Sequence, residues 1–253
     1  MRVDRSLVPV KAGLQAAEQI STADAVLMLF TFLGGLLLDR TLELPAQTAG
    51  SVLVWAVMLR ALHRAHGDLR VIIIACLAWS SLGEVIGSLI WGLYKYRLYN
   101  IPMFVPPGHV LMLLVALYVA QHMRAIVLAV APATAVGYAA YAHFSGSDIF
   151  SVAITPLFFV ALLLGRNRQV YAATFLLAIG LELYGTWLGN WRWELRAPGL
   201  DLTMANPPLC IGALYCLRDA LAGRSTEWLR SLRHAVREPD VLQQPAALSA
   251  PTA

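Results

Sequence analysis

Apolar and polar positions alternate along this chain in blocks rather than residue by residue. Apolar runs cover about residues 24–39, 47–63, 70–91, 107–123, 125–142, 148–165, 169–190 and 205–222, with short polar stretches between them. Each run is close to or above the ~17 residues with which a helix crosses the hydrocarbon core of a bilayer. Open strands at that depth would leave backbone N–H and C=O groups without partners, so the runs predict helices. The expected fold is all-α, a polytopic membrane helix bundle of about eight transmembrane helices. Residues 1–22 read as an amphipathic N-terminal arm at the membrane surface. Arg2 and Arg5 are followed by a mixed segment with Lys11 and Glu18, which does not read as a signal peptide. Beyond Gly223 the pattern changes again. Over 225–237, Trp228, Leu229, Leu232, Ala235 and Val236 alternate with Arg230, Arg233 and Arg237, which predicts a basic amphipathic helix on the inner leaflet. Residues 224–253 are expected to be that helix and a disordered tail rich in Pro, Ala and Gln.

A repeat orders the runs. Glu84, Gly87 and Ser88 recur 98 residues later as Glu182, Gly185 and Thr186, and Gly92, Tyr94 and Tyr96 recur 97 residues later as Gly189, Trp191 and Trp193. Shifted by that interval, the last four apolar runs fall on the first four. Each half, 23–123 and 124–223, then has an even number of crossings. The halves are expected to be two parallel four-helix repeats about a pseudo-two-fold axis along the membrane normal.

Composition agrees with a membrane class. Hydrophobic residues are 58% and charged residues 13%, with mean hydropathy +0.64, whereas soluble domains carry about a quarter charged residues. The net charge of +4 does not imply nucleic acid, because the basic residues lie between apolar runs and in the tail. Fourteen of the 19 basic residues fall on the side of the two termini, Arg218 among them, and five (Arg40, Lys95, Arg97, Arg192 and Arg196) on the other. By the positive-inside rule both termini are expected in the cytoplasm, with the chain in the inner membrane of the cell. Cys76, Cys210 and Cys216 lie in apolar runs without metal-ligand spacing and read as small buried residues. No nucleotide-binding or nucleophile-elbow motif is present, so neither a metal nor a cofactor is expected.

The candidate chemistry lies in the repeated stretch. An ionised acid in a spanning helix costs roughly 2.5–3.5 kcal/mol on insertion scales, so Glu84 and Glu182 need partners or a function. Glu84, Gly87, Ser88 and Trp91 share one helical face at i, i+3, i+4 and i+7, as do Glu182, Gly185, Thr186 and Gly189. Small residues on that face let another helix or a ligand approach. Across a pseudo-two-fold the two carboxylates can face each other, and paired carboxylates in a dry site divide into an acid and a base. Holding the halves together by hydrogen bonds is the alternative. His109, after Pro106-Pro107-Gly108 at the outer start of the fourth run, is expected near the glutamates and is a candidate proton donor or acceptor. Asn206-Pro207-Pro208 stands in its place in the second half. Tyr94, Tyr96, Tyr99, Trp187, Trp191 and Trp193 form either an interfacial belt or an aromatic wall for a polyene, a lipid or a transient cation. Ser88, Trp91, Asn100, Thr186 and Asn206 complete the expected substrate surface.

The stretch Glu84-x-x-Gly87, Gly92, Tyr94-x-Tyr96, Pro102 and Pro106 resembles the carotenoid hydratase family of membrane proteins over about residues 84–109. Pro107-Gly108-His109 departs from that family's Trp-containing end, and the spacing before the tyrosines is shorter. The resemblance implies proton-assisted addition of water to an isoprenoid double bond. An acid would protonate the alkene, aromatics would stabilise the cation and a base would activate water. Glu84, the tyrosines, and Glu182 or His109 are the candidates it implies. The leading expectation is therefore an enzyme acting on an isoprenoid or other lipid in the bilayer. A proton-coupled transporter or channel, and a non-catalytic envelope assembly component docking through the basic tail, are the alternatives. Expected partners are the bilayer and the lipid substrate, with a homo-oligomer or an envelope-pathway partner left open.

Overall fold

The computed structural model describes residues 17–41 and 43–241. Most of the expected N-terminal arm, and the tail beyond 241, lie outside the described residues. Eight α-helices are described: α1 Thr22–Thr41, α2 Glu43–Arg64, α3 Asp68–Glu84, α4 Val105–His122, α5 Arg124–Ser145, α6 Ile149–Leu164, α7 Arg168–Leu188 and α8 Gly212–Val241. A π-helical turn, Val85–Ile90, prolongs α3, and a 3-10 turn, Leu209–Ile211, precedes α8. Five of these segments, α1, Asp68–Ile90, α4, α5 and α7, are long and apolar enough to cross a membrane.

The bundle is built around α4. Its sequence is apolar on nearly every face, and a helix of that kind belongs in an interior. Val110, Leu111, Leu114 and Ala116 are fully buried. Pro106 sits in its first turn, where a helix has no use for the missing N–H. α1, α3 and α7 pack directly on α4, α2 closes on α1, and α5 and α6 close on α7. The outer helices turn Phe30, Ile90, Phe144 and Leu164 outward, an apolar exterior suited to lipid.

After α3 and after α7 the chain turns back on itself and runs extended. The two extended pieces, β1 (Tyr94–Tyr96) and β2 (Trp191–Trp193), pair antiparallel, with Tyr94 opposite Trp193 and Tyr96 opposite Trp191. This ribbon caps one end of the bundle. Beside it the Asp39 carboxylate, fully buried at the end of α1, accepts from Asn190 Nδ2 at 2.6 Å and Gln47 Nε2 at 2.8 Å and lies 3.7 Å from the Arg97 guanidinium. That network ties α1, α2 and the ribbon to each other.

Two expectations change here. The stretch after Gly223 is not a separate helix. α8 passes Gly223 without interruption and runs on to Val241. A mid-helix glycine costs only about 1 kcal/mol, and ion pairs hold the extension: Glu227 with Arg166, and Arg230 with Asp68. The face shared by Glu84, Ser88 and Trp91 is also broken. The π-helical turn begins one residue past Glu84 and alters the angular step, so these side chains diverge.

Candidate active site

Glu84 ends α3 and Glu182 lies in the last two turns of α7, so both point into the space under the ribbon. They line one cavity of about 160 Å³. Each carboxylate is held by the two aromatic residues of its own half's strand. Tyr94 and Tyr96 hydroxyls donate to Glu84 Oε2 at 2.8 and 2.7 Å. Trp191 and Trp193 indoles donate to Glu182 Oε2 at 2.8 and 3.0 Å. The alternation of a strand explains the choice. Residues two apart point to the same face, so both rings enter the bundle while Lys95 and Arg192 between them stay exposed.

The repeated glycines exist for these rings. A Cβ on Gly185 would stand 1.9 Å from Trp191, and one on Gly87 would stand 3.2 Å from Tyr94. The small face expected to admit another helix or a ligand is filled by the aromatic residue of the same half.

The other oxygens separate the two acids. His109 Nε2 lies 2.9 Å from Glu84 Oε1, and its Nδ1 lies 2.8 Å from Arg218 Nη1. Arginine has donors only, so Nδ1 accepts and the imidazole proton is on Nε2, donated to Glu84. Glu84 therefore accepts from three donors, the setting of an ionised carboxylate. Arg218 is neutralised by Asp219, which accepts from its Nη2 at 2.6 Å and Nε at 2.8 Å and from Thr174 Oγ1 at 2.7 Å. Glu182 Oε1 meets the Tyr215 hydroxyl at 2.7 Å. Glu182 thus also meets three partners, but among the described residues no basic side chain bonds it, whereas the imidazole on Glu84 is backed by the Arg218 guanidinium. Glu182 is the acid of the pair without a cationic network to keep it ionised. The guanidinium of Arg218 lies 5.1 Å from the Tyr215 ring centre, and the His109 ring meets the same ring edge-on at 5.0 Å. Tyr94 and Trp193 are 4.6 Å apart between ring centres. The result is a cavity with an aromatic wall and two carboxylates in unlike settings.

Of the residues singled out in the sequence, Glu84, Glu182, His109, Tyr94, Tyr96, Trp191 and Trp193 meet at the cavity. Gly87 lines it as well, and the other residues of the expected substrate surface do not. Ser88 donates to the Tyr94 carbonyl, Trp91 to that of Pro198 and Thr186 to that of Glu182. Asn100 donates to Gln47, and Asn206 accepts from the Trp193 backbone N–H. Tyr99 and Trp187 stand exposed at the surface. Tyr215 and Arg218 do not stand out in the sequence, and Arg218, counted there with the basic residues on the side of the termini, is buried at the cavity. An Arg-Asp pair inside the last apolar run, with a tyrosine one turn before it, is the signal that would have found them.

No protein-family model matches the chain, and neither a curated protein nor a solved structure does. The class therefore rests on the chain's own features: a helical bundle with five segments long and apolar enough to cross a membrane, as suits an integral membrane protein, and with polar groups buried beneath the ribbon.

Proposed function

We propose that this protein is a membrane-embedded enzyme that adds water to a double bond of an isoprenoid or related lipid, with Glu182 as acid and Glu84 as base. The observation that carries the reading is the unlike bonding of two carboxylates around one cavity. Glu182 Oε1 delivers a proton to one alkene carbon. The π electrons form the new C–H bond and leave a cation on the neighbouring carbon, against the faces of the aromatic wall. Water attacks the cation, and Glu84 takes the proton that this water releases. The sum is alkene plus water to alcohol, with a proton moved from Glu182 to Glu84 that must return across the cavity before the next turnover. His109 holds the base through a tautomer set by Arg218. A volume of about 160 Å³ accommodates a chain end and a water, whose share of liquid volume is ~30 Å³.

The same reading takes the molecule as two parallel four-helix halves. Antiparallel pairing of β1 with β2, and a glutamate bound by its own strand's aromatics in each half, support it. So does the exchanged packing of α3 on α8 and α4 on α7. All eight helices then cross the inner membrane, with the termini in the cytoplasm and the cavity in the outer half of the bilayer.

The test is a comparison of lipid and pigment extracts, by mass spectrometry, from cells with and without the gene, and from cells carrying Glu182→Gln or Glu84→Gln. A species heavier by one water that disappears in both variants is the expected result. Unchanged lipids, together with pH-dependent flux through the purified protein in vesicles, would replace this reading with proton-coupled transport.

A further inference from the structure

A second cleft, of about 340 Å³, opens between α3, α6, α7 and α8. It adjoins the first residues of α3 and α7, so it lies at the end of the bundle opposite the ribbon. Its wall is apolar, with Val160 and Leu164 from α6 and Leu217 from α8. Its rim carries Arg166, Arg224 and Arg230. Two of these arginines are matched by acids, Arg166 by Glu227 and Arg230 by Asp68. Arg224 is exposed and has no carboxylate within 4.0 Å among the described residues. The rim is left with one positive charge in excess.

The depth of the cleft follows from α6. That helix has 16 residues, about 24 Å at ~1.5 Å per residue, against a hydrocarbon core of ~30 Å. Leu164, its last residue, is 81% exposed, and Gly165 and Arg166 follow at once. A short apolar helix ending at a basic rim leaves a notch at the level where acyl chains meet headgroups.

We propose that this cleft binds an anionic phospholipid, with its phosphate at Arg224 between Arg166 and Arg230 and an acyl chain along α6 and α8. Arginine forks suit phosphate oxygens, and basic pockets between helices are where acidic headgroups dock. A water-filled notch would leave the leucine and valine wall wet, while a neutral lipid would leave the excess charge unanswered. Neither cost arises with an anionic lipid. The site does not depend on the chemistry at Glu84 and Glu182. It does touch α8, the helix that supplies Tyr215 and Arg218.

The experiment uses the full chain in nanodiscs of phosphatidylcholine with increasing phosphatidylglycerol. Retained lipid is read by native mass spectrometry and the thermal midpoint is read in parallel. Wild-type protein should retain phosphatidylglycerol selectively and gain stability from it. Arg224→Gln should weaken that retention about fivefold, which is ~1 kcal/mol per basic residue at an anionic surface converted at ~1.4 kcal/mol per tenfold. Arg192→Gln, an equal charge change at the ribbon, should leave it untouched. Equal retention of the two lipids by the wild type overturns the proposal without any variant. So does an unchanged Arg224→Gln, or a loss of the same size in Arg192→Gln. Inorganic phosphate added to phosphatidylcholine discs separates the sources: stabilisation equal to that by phosphatidylglycerol would make this a free-anion site, not a lipid site.

Discussion

Replacing Glu182 by leucine and by glutamine should give opposite results, and the reason lies in which of its partners can turn. The two indoles on Oε2 only donate. The phenol on Oε1 does either. Leucine leaves all three groups without a partner in a buried site. Hydrogen bonds inside membrane proteins average ~0.6 kcal/mol and reach ~1.7 in double-mutant cycles, so losing three costs roughly 2–5 kcal/mol. At ~2–4 °C per kcal/mol for a chain of this size, the thermal midpoint should fall by roughly 4–20 °C. Glutamine can place its carbonyl oxygen under the two indoles and its NH2 toward Tyr215, whose hydroxyl then accepts. All three contacts survive, and the loss should stay below about 1 kcal/mol. Thermal unfolding of the two variants in one detergent, followed by tryptophan fluorescence and near-ultraviolet dichroism, reads the difference. A leucine variant as stable as wild type would mean that the indoles do not bind Glu182. A glutamine variant as weak as leucine would mean that Glu182 is held as an ionised acceptor, and its role as the acid would fall with that.

Gly185→Ala should destabilise by about 1–3 kcal/mol, the usual cost of overpacking, because its Cβ would stand 1.9 Å from Trp191. Gly180→Ala, with nothing within 4 Å of the added Cβ on the same helix, should be neutral or slightly stabilising, and equal effects would contradict the packing described. Asp39→Ala should cost about 3–5 kcal/mol, since it takes the carboxylate from a partly buried Arg97 and removes one acceptor each from Asn190 and Gln47. A midpoint shift under a few degrees would argue against the network. Asp148→Ala removes the side chain that accepts from the Ser151 N–H at the start of α6, 3.1 Å away, and from the Tyr138 hydroxyl at 2.8 Å. A loss of about 1–2 kcal/mol is expected, read as faster amide exchange in the first turn of α6. Arg218→Gln frees Nδ1 of His109 to take the proton, so the nitrogen shifts of that ring should change; an unaltered spectrum would show that Arg218 does not set the tautomer.

Much of this was legible in the chain. Apolar block length alone predicted helices, because no other backbone form satisfies its own hydrogen bonds over such runs in lipid. The repeat of glutamate, glycine and two aromatics pointed to the two carboxylates that line one cavity, since burying an acid twice at the same spacing demands a shared reason. Sequence could not say what the glycines were for. A helical wheel assigned them to a neighbouring helix, but the chain folds back and fills the gap with Tyr94 and Trp191. That depends on a turn and a strand pairing, which no helical period encodes. Nor could local pattern separate a solvated arginine near a helix end from one drawn inward, as Arg218 is by Asp219 and His109. The charge of a residue is written in its identity. Whether that charge meets water, an acid or an imidazole is decided by which helix packs beside it, and here only the packing of α8 on α3 and α7 brings Tyr215 and Arg218 to the two glutamates.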